Sequence, residues 1–136
     1  MSQENVDLVI RAMHAALKRP KPDFETVNAL YHSDHVLVPV EARELGQDEA
    51  KGVRGYKAWL EQTGDVLSWE GEVGGAVDIA PNMVLAVATI RAHGVSSGAA
   101  TEQRSWSLVT VTDGKITRTE SFNDPAEALE AVGLRE

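Results

Sequence analysis

Cysteine is absent from this chain of 136 residues, which removes disulfides, thiolate metal ligands and thiol nucleophiles together and fits a reducing compartment. Basic residues are the next shortage: 13 Lys and Arg stand against 21 Asp and Glu, a formal net charge of −8. The cations are scattered, so no surface for tracking the phosphates of nucleic acid or anionic lipid is expected. Long apolar runs are missing as well. No window reaches the roughly 18 apolar residues of a membrane span, and the opening MSQENVDLVIRAM has no basic segment followed by an apolar run. These absences lead to the expectation of a cytoplasmic protein that binds neither nucleic acid nor membrane. A composition 43% hydrophobic and 25% charged suits one globular domain over residues 1–136.

What is present reads as a definite order of elements. Val6, Val9, Ile10, Met13 and Leu17 recur at helical spacing behind Ser2 as N-cap, with acids in the first turn. KRPKPD interrupts that helix with two prolines, and Asp23 then caps a second, with Phe24, Val27, Leu30 and Tyr31 inward. HVLVPV, residues 35–40, is a strand ending near Pro39; EARELGQDEAKG is a surface loop; VRGYKAWLEQTG is a third helix. Four strands follow, over 66–79, 83–94, 101–112 and 115–123, separated by the turn signals GG, PN, SSG and DG. The fold class is therefore α+β: a curved antiparallel sheet, cone-shaped, with three helices of the N-terminal half over its concave face and a short C-terminal helix. Such a cone has an apolar mouth suited to a small molecule.

MSQENVDLVIRAM at the start, GVRGYKAWL in the middle and DGKITRTESFNDPAEALEAVGL at the end resemble the SnoaL-like branch of the nuclear-transport-factor-2-like superfamily, to which ketosteroid isomerase is also assigned. The resemblance runs over nearly the whole chain. It implies the cone fold, a homodimer through the outer sheet face, and a pocket that ketosteroid isomerase, epoxide hydrolases, polyketide cyclases and non-enzymes all use. One fold with so many uses does not select among them.

The acids that such relatives use are replaced here. Where cyclases and epoxide hydrolases carry an acid on the last strand, counting from Gly-Lys-Ile gives Ser121. The Arg-x-Asp pair of limonene-epoxide-hydrolase-like members falls on Ala88 and Ile90, with Arg91 and His93 facing outward. The tyrosine and base of ketosteroid isomerase fall on Met13 and Val38, so its proton shuttle between carbon atoms has neither base nor oxyanion donor. Asp124 in DPAE is an N-cap ahead of Pro125, with Glu127 at the capping-box position and Gly133 at the helix end. A two-residue turn at Asp113-Gly114 pairs Thr112 with Lys115. Without a bulge this puts Val111, Val109 and Ser107 on one face with Ile116, Arg118 and Glu120, and leaves Thr110, Leu108 and Trp106 with Thr117, Thr119 and Ser121. Glu120 is then expected to point away from Ser121, paired with Arg118 at the outer face.

The expected lining of the cone is Met13, Leu17, Val38, Trp59, Ala88, Ile90, Trp106, Leu108, Thr119 and Ser121, apolar walls with a few hydroxyls. Candidates for acid–base work are His14, His35 and Glu41, since an unperturbed imidazole titrates near neutrality. His32 and His35 in YHSDH have the spacing of a metal pair, but the segment reads as a turn in which Ser and Asp cap backbone groups, so no metal or other cofactor is expected. Three readings stand: a homodimeric binder of a hydrophobic, cyclic small molecule lacking the usual catalytic acids; a cyclase-, isomerase- or epoxide-hydrolase-like enzyme using His14, His35 or Glu41; and an interaction domain whose cone is filled.

Overall fold

The computed structural model describes residues 2–18, 22–39, 50–52, 54, 55, 58, 67–94 and 100–135. Helix α1 (Ser2–Leu17) buries Val9, Ala12, Met13, Ala15 and Ala16; the alanines let its axis approach the sheet closely. Helix α2 (Phe24–Leu30) begins at Asp23, whose carboxylate accepts from the Thr26 N–H at 3.2 Å and its hydroxyl at 2.7 Å. That pair of bonds, the hydroxyl's first, holds the Asp23 carboxyl below its ordinary pKa. The expected third helix lies largely outside the described residues. None of the described helices is long and apolar enough to cross a membrane.

Among the described residues six strands form one open, curved sheet: β1 (Tyr31–Val38), β2 (Ala50–Lys51), β3 (Leu67–Ala80), β4 (Met83–Gly94), β5 (Ala100–Thr112) and β6 (Lys115–Phe122), in the order β2-β1-β6-β5-β4-β3. The meander β3 to β6 matches the four expected strands. The sheet is mixed rather than antiparallel, because β1 runs parallel to β6, with Leu37 opposite Thr119 and Val38 opposite Glu120. β1 also starts four residues earlier than expected: YHSDH is not a turn between elements but the irregular first half of the strand, with a register shift between Tyr31 and Val36. The turn signal was real but local, since the Asp34 N–H donates to His32 Nδ1 at 2.9 Å within the strand. The charged segment before Gly52 ends in β2, which pairs with β1 through Ala50 and Lys51.

Two cores lie on the two faces. On one, α1 and α2 cover Tyr31, Leu37, Val84, Ala86, Ala88, Ala92, Val109, Val111 and Ile116. Gly71 makes this packing possible: a Cβ there would lie 3.0 Å from Ile90 Cδ1 and 3.1 Å from Leu17 Cδ2. On the other, helix α3 (Pro125–Arg135) sets Ala128 and Val132 against Ala80, Met83, Leu108 and Phe122. Asp124 caps α3, accepting from the Ala126 N–H at 2.8 Å, and Pro125 is its first residue. Gly133 does not end the helix, which continues to Arg135.

Candidate functional site

The β5–β6 hairpin decides which side chains meet inside the cone. Asp113 (φ 51) and Gly114 (φ 77) form the expected two-residue turn, and Thr112–Lys115 and Val111–Ile116 pair as the turn dictates. The next pair is Thr110–Arg118, so β6 contains one extra residue, Thr117, whose hydroxyl donates to the Thr110 carbonyl at 3.4 Å. Beyond this bulge every face assignment on β6 reverses relative to the unbulged hairpin. Val109 stands opposite Thr119 and Ser107 opposite Ser121, while Leu108 meets Glu120 and Trp106 meets Phe122.

The helix-covered face therefore carries a row of hydroxyls. Thr119 lies between Leu37 and Val109, both core residues under α1 and α2, and Ser107 lies between Ser121 and Ala86. Thr119 and Ser107 are each 6% exposed, and Ser121 is half-buried. Two residues before Leu37 on β1, His35 occupies the same face; it is fully buried, and its Nε2 lies 2.9 Å from Thr119 Oγ1. The Tyr31 ring meets the imidazole edge-on, centroids 4.8 Å apart. Desolvation pushes the His35 pKa down to about 4, so the ring is neutral at physiological pH.

The opposite face carries the carboxylate. Glu120 is 4% exposed and accepts from Arg118 Nε at 3.0 Å, as a pair on the outer side beside Leu108. The ion pair and its outward direction match expectation. Glu120 shares the face of the outer core there. Farther along that face Arg91 bridges Glu102 at 2.8 Å and Glu72 at 3.7 Å, all three exposed, as an outward Arg91 requires.

Of the expected lining, Met13, Ala88 and Ile90 belong to the helix-covered core, with Leu17 against Ile90 and Gly71, and Thr119 and Ser121 face the same side. Three residues do not. Leu108 is in the outer core, Trp106 stands opposite Phe122 of that core, and Val38 stands opposite Glu120. Strand alternation explains the correction: the residue inserted in β6 sets Thr119 opposite Val109 rather than Leu108, and the parallel pairing of β1 sets Leu37 rather than Val38 opposite Thr119. Trp59 and Glu41 lie outside the described residues. His14 is exposed on α1, away from the core that buries His35. Among the described residues no group of three His, Asp or Glu is arranged to hold a metal ion. Ser107 was missed as a lining residue; its pairing with Ser121 becomes visible only once the bulge is known.

No family model matches the chain, nor does any curated protein. Solved structures do. A SnoaL-like polyketide cyclase from Jannaschia sp. CCS1 aligns with a TM-score of 0.73 at 14% identity over 96% of this chain and 92% of its own. TerC, co-crystallised with polyporic acid, aligns with a TM-score of 0.73 at 21% identity over 93% of this chain and 96% of its own. An epoxide hydrolase of the limonene-epoxide-hydrolase-like kind from M. tuberculosis gives 0.68 at 19% identity, covering 95% and 84%. The chain has the nuclear-transport-factor-2-like fold. Identities this low carry the architecture and nothing finer, so the chemistry of this chain has to be argued from its own residues.

Proposed function

We propose that this chain is a small-molecule binding protein of the SnoaL-like group, working as a homodimer, which takes a hydrophobic, cyclic ligand against the helix-covered face of its sheet. One observation carries the reading: the paired inward positions Val109, Thr119, Ser107 and Ser121 of β5 and β6 hold no carboxylate, while Glu120 and Glu102 lie on the other face. Hydroxyls among Ala86, Ala88 and Val109 suit a ligand that buries apolar ring area and makes one or two neutral hydrogen bonds. Polyporic acid, with which TerC was co-crystallised, is the first probe. The test titrates it into the purified protein and follows tryptophan fluorescence and melting temperature. Saturable binding with a dissociation constant in the micromolar range supports the reading; no saturation and no stabilisation sinks it. Sedimentation velocity checks the dimer, which we place on the outer face along Val87 and Trp106.

A second reading has its own observation in the neutral, buried imidazole of His35 on the same face. At neutral pH that ring keeps one N–H and one bare nitrogen and is bonded to Thr119, so an acid–base enzyme in which His35 works through the Thr119 hydroxyl is the alternative. Mass spectrometry of the bound compound after incubation separates the two: conversion lost in His35→Phe favours the enzyme, and an unchanged ligand favours the binder.

A further inference from the structure

We propose that His35 and Thr119 together form a neutral anchor for one carbonyl or hydroxyl oxygen of the ligand, with Thr119 touching the ligand and His35 as the positioning residue behind it. This deepens the binding reading above and rests on it. The geometry is specific. Nε2 of His35 and Oγ1 of Thr119 are 2.9 Å apart across two strands 84 residues apart in sequence. Fully buried, His35 is out of a ligand's reach, whereas Thr119 is 6% exposed and its side chain shares the face of Ser121 and Ser107. Only the hydroxyl of the pair can meet a ligand.

The chemistry of the pair follows from counting protons. A neutral imidazole has one N–H donor and one bare nitrogen, and a threonine hydroxyl has one proton and two lone pairs. With the ring proton on Nε2, the imidazole donates to Thr119, whose own O–H then points elsewhere and donates to a ligand carbonyl. With the proton on Nδ1, Thr119 donates to Nε2 and offers lone pairs to a ligand hydroxyl. The anchor therefore changes polarity by tautomer exchange and without changing charge. It accepts an oxygen that is a ketone in one form and an enol or phenol in another, and it offers no fixed cation for a carboxylate or phosphate. Aromatic ketones and polycyclic phenols meet these requirements.

Two isosteric pairs of probes test this: 2-acetylnaphthalene against 2-isopropylnaphthalene, and 2-naphthol against 2-methylnaphthalene. In the wild-type protein each oxygen compound is expected to bind about tenfold tighter than its hydrocarbon partner, the value of one well-placed hydrogen bond. Thr119→Val removes that preference and leaves hydrocarbon affinity in place, and Thr119→Ser keeps it. A preference that survives Thr119→Val overturns the anchor. The tautomer gives a second readout that needs no variant: nitrogen NMR of wild-type His35 shifts toward the Nε2–H form with 2-acetylnaphthalene and toward the Nδ1–H form with 2-naphthol. Ring nitrogens that respond identically to both compounds overturn the proposal even if Thr119→Val does not fold. Binding of all four probes without discrimination defeats the anchor alone, and binding of none defeats the pocket reading together with it.

Discussion

Two polar pairs are held on neighbouring positions of the same strand, and they are opposites. Thr119 faces the helices and is bonded to a neutral imidazole; Glu120 faces outward and is bonded to a guanidinium. One pair is uncharged, fully enclosed on the imidazole side and made between distant strands. The other is ionic, spans two residues of one strand, and has a half-buried Arg118 that keeps part of its charge in water. The difference teaches that a buried polar group is tolerated on either face if its partner is matched to the local dielectric: hydrogen bonds without charge where water is excluded, and charge where one partner still reaches water.

Slipping the register beneath the two pairs is the strongest way to break the comparison. Insertion of one alanine between Arg118 and Thr119 sets Thr119 opposite Leu108 and Glu120 opposite Ser107, which turns Glu120 toward the helices and Thr119 outward, and is expected to cost more than about 5 kcal/mol. Urea denaturation followed by circular dichroism should then show no cooperative transition, whereas deletion of the bulged Thr117, which leaves those pairings in place, should keep one; a native-like midpoint for the insertion would mean that this register does not set the faces.

The neutral pair is sharpened by pH. His35 has a folded pKa of about 4 against 6.5 for the free side chain, so the folded state binds fewer protons than the unfolded state between those values. Its contribution is complete above pH 6.5, declines as pH falls toward 4, and amounts to about 3 kcal/mol across that window. His35→Phe should flatten this part of the stability profile relative to wild type. Equal pH dependence in the two proteins would contradict the burial of a neutral ring.

The ionic pair should respond to salt instead. Arg118→Ala is expected to cost about 1–3 kcal/mol by taking the guanidinium from a buried carboxylate, a figure reduced from the fully buried case because Arg118 is partly exposed. The loss should shrink in high salt, as a urea midpoint series would reveal, whereas the His35 effect should not. The smallest effect belongs to Asp124, the acid that serves only the backbone: Asp124→Ala removes one helix cap and should cost about 1 kcal/mol, read as a melting-temperature shift with no change in ligand binding.

Much of the scaffold was legible because its signals are local. Apolar spacing located α1, Asp23 and Asp124 located two helix starts, and Asp113-Gly114 located the hairpin turn together with its first two pairs. The apolar row Val84, Ala86, Ala88, Ile90 and Ala92 gave the orientation of β4 by alternation alone, and Arg91 accordingly points out. Half of the candidate site was legible as well. Thr119 and Ser121 face inward as expected, but Trp106, Leu108 and Val38 do not, because the first two depend on a register counted through Thr117 and the third on the parallel pairing of β1 with β6. His35 was selected for its pKa range, yet its place came from a strand that the neighbouring Ser33 and Asp34 disguised as a turn.

By itself, then, the amino-acid order determined the elements, their caps, their turn and the absence of thiol chemistry, since each depends on residues within a few positions of one another. Tertiary structure alone decided that β1 lies parallel to β6, that one threonine bulges, and that an imidazole from residue 35 reaches a hydroxyl at 119. Those outcomes are set by which distant strands pair and in which register. That choice is made by the free energy of closing both cores at once, and no short window of sequence contains it.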